Sequence, residues 1–159
     1  MSSADPAPPS RPAGAAPAPL WKKTPDVDYL NRIHENTLCA SLGIEFLAIG
    51  DDWLKARMPV DARTVQPMGI VHGGASVSLA ETLGSVASWL CIGEDQAAVG
   101  LEVNANHLRA VRSGWVYGEC RAVHVGRSTH VWQIEISDEQ GRRSCVSRLT
   151  TAVIARPPA

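Results

Sequence analysis

Residues 75–92, ASVSLAETLGSVASWLCI, carry a single charged side chain, that of Glu81. A carboxylate left in an apolar helix is costly to desolvate unless it is hydrogen-bonded or put to use. At helical spacing from Glu81 lie Ser78, Gly84, Ser85 and Ser88, a narrow stripe of small residues on one face. Small residues leave room beside the carboxylate, and hydroxyls can hold a water there. Hydrolysis assisted by a carboxylate needs that arrangement. A structural glutamate paired with an arginine from a neighbouring sheet fits the same pattern.

The preceding stretch, Gln66-Pro67-Met68-Gly69-Ile70-Val71-His72-Gly73-Gly74, runs straight into the helix. Adjacent glycines allow a substrate to approach the backbone closely. The unpaired N–H groups of a helix start attract negative charge. Placed at a carbonyl oxygen, they form an oxyanion hole, and His72 can donate a further bond. Taken alone, His72-Gly73-Gly74 also describes a tight turn with a loop-positioning histidine. The triplet followed by a lone helical carboxylate nine residues after the histidine is a more specific pattern.

The elements that must position these groups follow from periodicity. Asp26 is a candidate N-cap for one helix over 26–42, with Tyr29, Leu30, Ile33 and Leu38 on one face and Gly43 as its stop. Ile44–Ile49 and Trp53–Val60 flank the turn cluster Gly50-Asp51-Asp52 and read as a hairpin. Pro59 and Pro67 bracket a loop. The helix over 75–92 is expected to be buried nearly all round. Val99–Leu108 alternates, with Val99, Leu101, Val103, Ala105 and His107 on one side. Trp115–Val125, Thr129–Ser137 and Arg143–Ile154 follow as strands, and Asp138-Glu139-Gln140-Gly141 joins the last two. Trp132, Ile134 and Ile136 make one face of their strand. The order predicts an α+β protein, one curved antiparallel sheet wrapped on one long central helix, its later strands a meander.

The 159 residues suit one domain, over 21–159. A hydrophobic fraction of 45% is ample for a core, and a net charge of −1 without a basic run argues against nucleic-acid binding. Cys39, Cys91, Cys120 and Cys145 form no Cys-x-x-Cys pair and read as reduced thiols. His34, His72, His107, His124 and His130 show no metal-ligand spacing. Residues 1–20 are rich in Pro and Ala, a composition expected to be a disordered tail, and lack the apolar core of a signal peptide. No apolar run reaches membrane-spanning length. These features predict a cytoplasmic protein that is not bound to a membrane.

The run VQPMGIVHGGASVSLAETLGSVAS resembles the signature of hotdog-fold acyl-CoA thioesterases. The likeness continues through GLEVNANHLRAVRSGWVYGEC, HVWQIEISDEQGR and SRLTTAVI. It is strongest toward members acting on aromatic acyl-CoAs: hydroxybenzoyl-CoA, phenylacetate-pathway thioesters and, nearest, the dihydroxynaphthoyl-CoA of menaquinone biosynthesis. The resemblance implies Glu81 as nucleophile or general base. It implies Gly73 as the N–H that polarises the thioester carbonyl, His72 and Gln66 as polar groups near that carbonyl, and Ser85 as a water-positioning hydroxyl. Substrate contacts fall on Gly100, on His107, Leu108, Arg109 and Ala110, and on His124, Val125, Gly126, Arg127, Ser128 and Thr129. Relatives tend to carry Gly-Ser-Arg where this chain has Gly126-Arg127-Ser128, which displaces the basic residue by one position. No cofactor is implied, because CoA enters as part of the substrate. A homodimer or homotetramer with the site between subunits is implied as well. A non-catalytic acyl-CoA sensor and a hydratase or dehydratase are the rival readings on the same fold.

Overall fold

The computed structural model describes residues 19–24 and 26–157. Most of the predicted tail, residues 1–18, therefore lies outside the described residues. Asp26 caps α1 (Val27–Ile33), its side chain accepting from the Asp28 N–H. The single helix expected over 26–42 is two helices, α1 and α2 (Leu38–Leu42). Asn36 breaks it by taking a left-handed φ of 60°, which asparagine tolerates better than most residues. Thr37 then caps α2 by accepting from the Cys39 N–H, and Gly43 ends it at φ 68°.

Strands β1 (Glu45–Ile49) and β2 (Trp53–Pro59) form the expected antiparallel hairpin. Helix α3 (Gly73–Leu90) starts two residues before the predicted 75, because His72 is its N-cap. Strands β3 (Gln96–His107), β4 (Trp115–Val125), β5 (Thr129–Asp138) and β6 (Arg143–Ala155) complete one six-stranded sheet in the order β1-β2-β4-β5-β6-β3. All neighbours are antiparallel. The meander expectation fails at β3, which pairs with β6 at the far edge and not with β4. The segment 108–114 carries the chain back across the start of α3. It is tied there by bonds from the Val71 N–H to Val111 O and from the Val60 N–H to Gly114 O, both 2.9 Å.

Helix α3 buries Leu79, Leu83, Val86 and Leu90 against Leu54, Met58, Trp132, Ile134, Ile136 and Leu149 of the sheet. Two glycines allow the close approach. A Cβ at Gly84 would lie 2.6 Å from Leu149 Cδ2, and one at Gly118 2.6 Å from Leu83 Cδ1. Ser88 is buried in this core, accepting from Trp132 Nε1 at 2.6 Å and sharing a bond with Thr151 Oγ1 at 2.8 Å. Gly84 and Ser88 thus belong to the core contact, not to a stripe beside Glu81.

The helix is also not buried all round. Gly74 and Glu81 are exposed, and Ser78, Thr82, Ser85 and Trp89 are half-buried, so one continuous stripe of α3 is free of the sheet. Residues 19–24 strap the C-terminal end of α3. The Lys23 ammonium donates to the carbonyls of Trp89 and Ile92 at 2.8 and 2.7 Å, and Trp21 stacks on Trp132. No described helix is long and apolar enough to cross a membrane.

Candidate active site

The loop before α3 is built from its own turns. Thr64, buried, donates from Oγ1 to Pro59 O at 2.6 Å, and the His72 N–H bonds to Thr64 O at 2.8 Å. Between these anchors the Gly69 N–H bonds to Gln66 O at 2.8 Å, a turn that uses the φ of 69° at Gly69. The Gln66 Oε1 accepts from the Met68 N–H at 2.6 Å, which leaves the carboxamide NH2 as a donor.

His72 Nδ1 accepts from the Gly74 N–H at 2.9 Å. The ring proton therefore sits on Nε2, and that N–H is a donor on an exposed side chain. His72 O takes the N–H groups of Ala75 and Ser76. The Gly73 N–H makes no hydrogen bond among the described residues. The start of α3 thus offers one open backbone donor beside one imidazole donor, at the positive end of an 18-residue helix.

His107, at the end of β3, lies against this helix start. A Cβ on Gly73 would be 2.9 Å from His107 Nε2, so a larger residue there would push the imidazole aside. A recess of about 250 Å³ opens alongside, lined by His107, Leu108, Arg109 and Ala110 with Ile70 and Ser76 among its other walls. The stretch 107–110, which the family resemblance assigns to substrate contact, thus lies beside the loop that leads into α3.

Glu81 departs from expectation. Its carboxylate is exposed, not buried, and the account of a desolvated carboxylate fails within one chain. The reason is the open stripe of α3, whose outer side no element among the described residues covers. The carboxylate lies beside β3, with Oε1 3.4 Å from where a Gly100 Cβ would sit. Next to Gly100 the ladder with β6 slips at Leu101, which is 63% exposed. Bulges of this kind often flank functional sites. The slip also breaks the predicted alternation, and Val99 turns outward at 41% exposure. Ser85, half-buried, sits one turn on from Glu81.

The remaining predicted contacts, His124 to Thr129, are not brought to this place. They form the β4–β5 turn, closed by a bond from the Gly126 N–H to Thr129 O at 2.9 Å. Gly126 and Arg127 line a second recess with Gln96, at the opposite end of β3 from His107. The twelve residues of β3 span about 36 Å between those ends.

Cysteines do not compete for the nucleophile's role. All four are buried and free. Burial pushes the Cys91 thiol up to about 11, against the opposing pull of Lys22 and Lys23, and the Cys120 thiol higher still. His130 was not singled out in the sequence. It is buried, its Nδ1 has no hydrogen-bond partner among the described residues, and burial pushes its pKa down. Its place on the inward side of β5, in step with Trp132 and Ile134, was the available signal.

A long helix laid on a six-stranded antiparallel sheet, with a polar loop leading into the helix, defines a hotdog fold. The chain matches the thioesterase superfamily over residues 68–145. It is 53% identical to the 1,4-dihydroxy-2-naphthoyl-CoA hydrolase of Escherichia coli over 85% of this chain and 99% of that one. It is 52% identical to the proofreading thioesterase EntH of Cronobacter turicensis, over 85% and 98% of the two chains. The crystal structure of a thioesterase from Haemophilus influenzae superposes with a TM-score of 0.84 at 52% identity, covering 86% of this chain and 95% of that one. The chain belongs to the thioesterase superfamily and is a thioester hydrolase.

Proposed function

We propose that the protein hydrolyses an aromatic acyl-CoA to the free acid and CoA, with Glu81 as its catalytic carboxylate. The observation that carries this is the arrangement on α3. One helix presents an open Gly73 N–H and the His72 Nε2–H at its start and, further along, an exposed carboxylate one turn before Ser85 and beside Gly100 of β3. The thioester oxygen would accept from Gly73 N–H, helped by His72 and the Gln66 NH2. Glu81 would then act in one of two ways. It attacks the carbonyl carbon, the C–S bond breaks, and water hydrolyses the resulting anhydride. Alternatively it takes a proton from a water held by Ser85, and that water attacks. Either route consumes one water and releases a CoA thiol.

Eight residues separate Gly73 from Glu81 on the helix, an axial distance of about 12 Å. One carbonyl cannot contact both groups of one chain. The site is therefore completed by a second copy, whose Gly73 faces this chain's Glu81. The open edge of β3, with Val99 and Leu101 exposed, supplies a surface for that copy. The CoA nucleotide would reach Arg109 and, across the pair, the Arg127 turn.

The relatives favour an aromatic acyl group, since one named relative hydrolyses 1,4-dihydroxy-2-naphthoyl-CoA, and a menaquinone-pathway role is the first reading. The likeness to a proofreading thioesterase supports a second, in which the enzyme clears aromatic thioesters more broadly. Thiol release from a panel of naphthoyl-, benzoyl- and hexanoyl-CoA tests both. A single dominant naphthoyl substrate is expected for the first, and comparable rates on several aromatic thioesters for the second. Acyl-CoA binding with no thiol release would contradict both.

A further inference from the structure

The tip of the loop that leads into α3 is held by hydrogen bonds more than by packing. Val65 and Val71 pair across its base as an antiparallel bridge. The Gln66 N–H bonds to Ile70 O at 2.9 Å, and the Gly69 N–H bonds back to Gln66 O at 2.8 Å. This is a tight hairpin with glycine in the left-handed position after its turn. Pro67, Met68 and Gly69 at the tip are exposed, Met68 by 71%. A side chain so exposed contributes little burial to hold the turn. Among the described residues, one side-chain bond reaches the tip from outside the loop. Arg112, on the segment 108–114, donates from Nη1 to Met68 O at 3.1 Å. Its neighbour Val111 is buried, and the Val111 carbonyl takes the Val71 N–H, so the guanidinium extends from an anchored backbone. Among the described residues no carboxylate forms an ion pair with Arg112. Asp138, which lines the same recess, is taken by Arg142 at 2.7 Å.

We infer that Arg112 is a positioning residue for the hydrolysis, acting through Met68 to aim the Gln66 carboxamide at the thioester carbonyl. The inference rests on the proposed role of Gln66 as a donor to that carbonyl. Met68 is engaged on both sides. Its N–H holds Gln66 Oε1 at 2.6 Å, and its carbonyl is held by Arg112. The peptide between Met68 and Gly69 is thus bonded through its carbonyl and its N–H alike. With Oε1 engaged, the carboxamide turns its NH2 outward. That orientation lasts only while the Met68 N–H stays in place. Without Arg112 the 68–69 peptide is held on one side only, the tip rolls about its base, and the Met68 N–H leaves the carboxamide. A donor misplaced by about 1 Å loses much of its worth in the transition state. The planar, directional guanidinium suits this task better than the point charge of a lysine.

The test measures kcat and KM for naphthoyl-CoA in the wild type, Arg112→Met, Arg112→Lys, Gln66→Ala and the double variant Gln66→Ala/Arg112→Met. Arg112→Met keeps an unbranched stem and removes the donor. It is expected to lower kcat about tenfold with KM within about twofold of wild type. Arg112→Lys should recover part of the loss. In the Gln66→Ala background the same Arg112→Met change should cost less than about twofold, because no carboxamide is left to aim. Hydrogen exchange over 65–71, read by mass spectrometry without substrate, should quicken in Arg112→Met. Circular dichroism confirms the fold of each variant. An Arg112→Met variant with the kcat of wild type overturns the inference. An equal loss in both backgrounds overturns it too, since Arg112 would then act independently of Gln66. So does a loss confined to KM, which would make Arg112 a contact for the CoA phosphates. All three leave the hydrolase reading intact. A wild type that releases no thiol from naphthoyl-CoA or benzoyl-CoA overturns the acyl-CoA reading, and the inference with it.

Discussion

The two ring nitrogens of one side chain at the start of α3 have different jobs. His72 uses Nδ1 to cap the helix through the Gly74 N–H, and that bond fixes the proton on Nε2, where a substrate carbonyl can use it. Replacing His72 by Ala removes a cap and a donor together. The cap is worth about 1 kcal/mol, and losing a donor of this kind costs about a hundredfold in kcat. Steady-state kinetics on His72→Ala and His72→Asn separates them. Asn can still cap, so its stability should return toward wild type while kcat stays low. The proposed site residues stand out in the sequence because they break local rules: one charge in an apolar helix, and two glycines where a helix begins. The exposure of Glu81 was not legible. A run of apolar residues looks the same whether a sheet or a second subunit covers its last face.

The elements were legible to the extent that their signals were local. Asp26, Gly43, the β1–β2 turn and the inward set of Trp132, Ile134 and Ile136 all stand where the sequence places them. The break at Asn36 and the helix start at His72 were missed, since asparagine and histidine are weaker punctuation than glycine and proline. Strand order lay beyond reach for a different reason. Periodicity says which side of a strand faces inward, not which neighbour it finds, and β3 finds β6. Gly84 belongs to this scale. Small residues on α3 read equally as space for a substrate or space for the sheet, and at Gly84 it is the sheet. Gly84→Ala places a Cβ 2.6 Å from Leu149 Cδ2 and 3.2 Å from Leu149 Cβ. The helix must move off β6 or Leu149 must leave its rotamer, a cost of about 1–3 kcal/mol. Urea unfolding should show a lower midpoint with an unchanged slope.

At the scale of the molecule, the single chain holds the parts of the proposed hydrolytic site without bringing them together. The helix start with His107 stands at one end of β3, the Arg127 turn at the other, and Glu81 beside Gly100 between them. Among the described residues nothing covers the Glu81 carboxylate, the apolar edge of β3 or one stripe of the central helix, and the proposed second copy would cover all three. That explains why the sequence reading of a buried glutamate and the exposed glutamate of one chain point to the same residue. The account depends most on that carboxylate. The most direct measurement is thiol release from a naphthoyl-CoA by wild type, Glu81→Ala and Glu81→Gln, each checked for fold and assembly. The account predicts rapid release by wild type and a loss of about a thousandfold or more in both variants, with KM little changed. A Glu81 variant that stays folded and keeps its rate within about tenfold of wild type would contradict it.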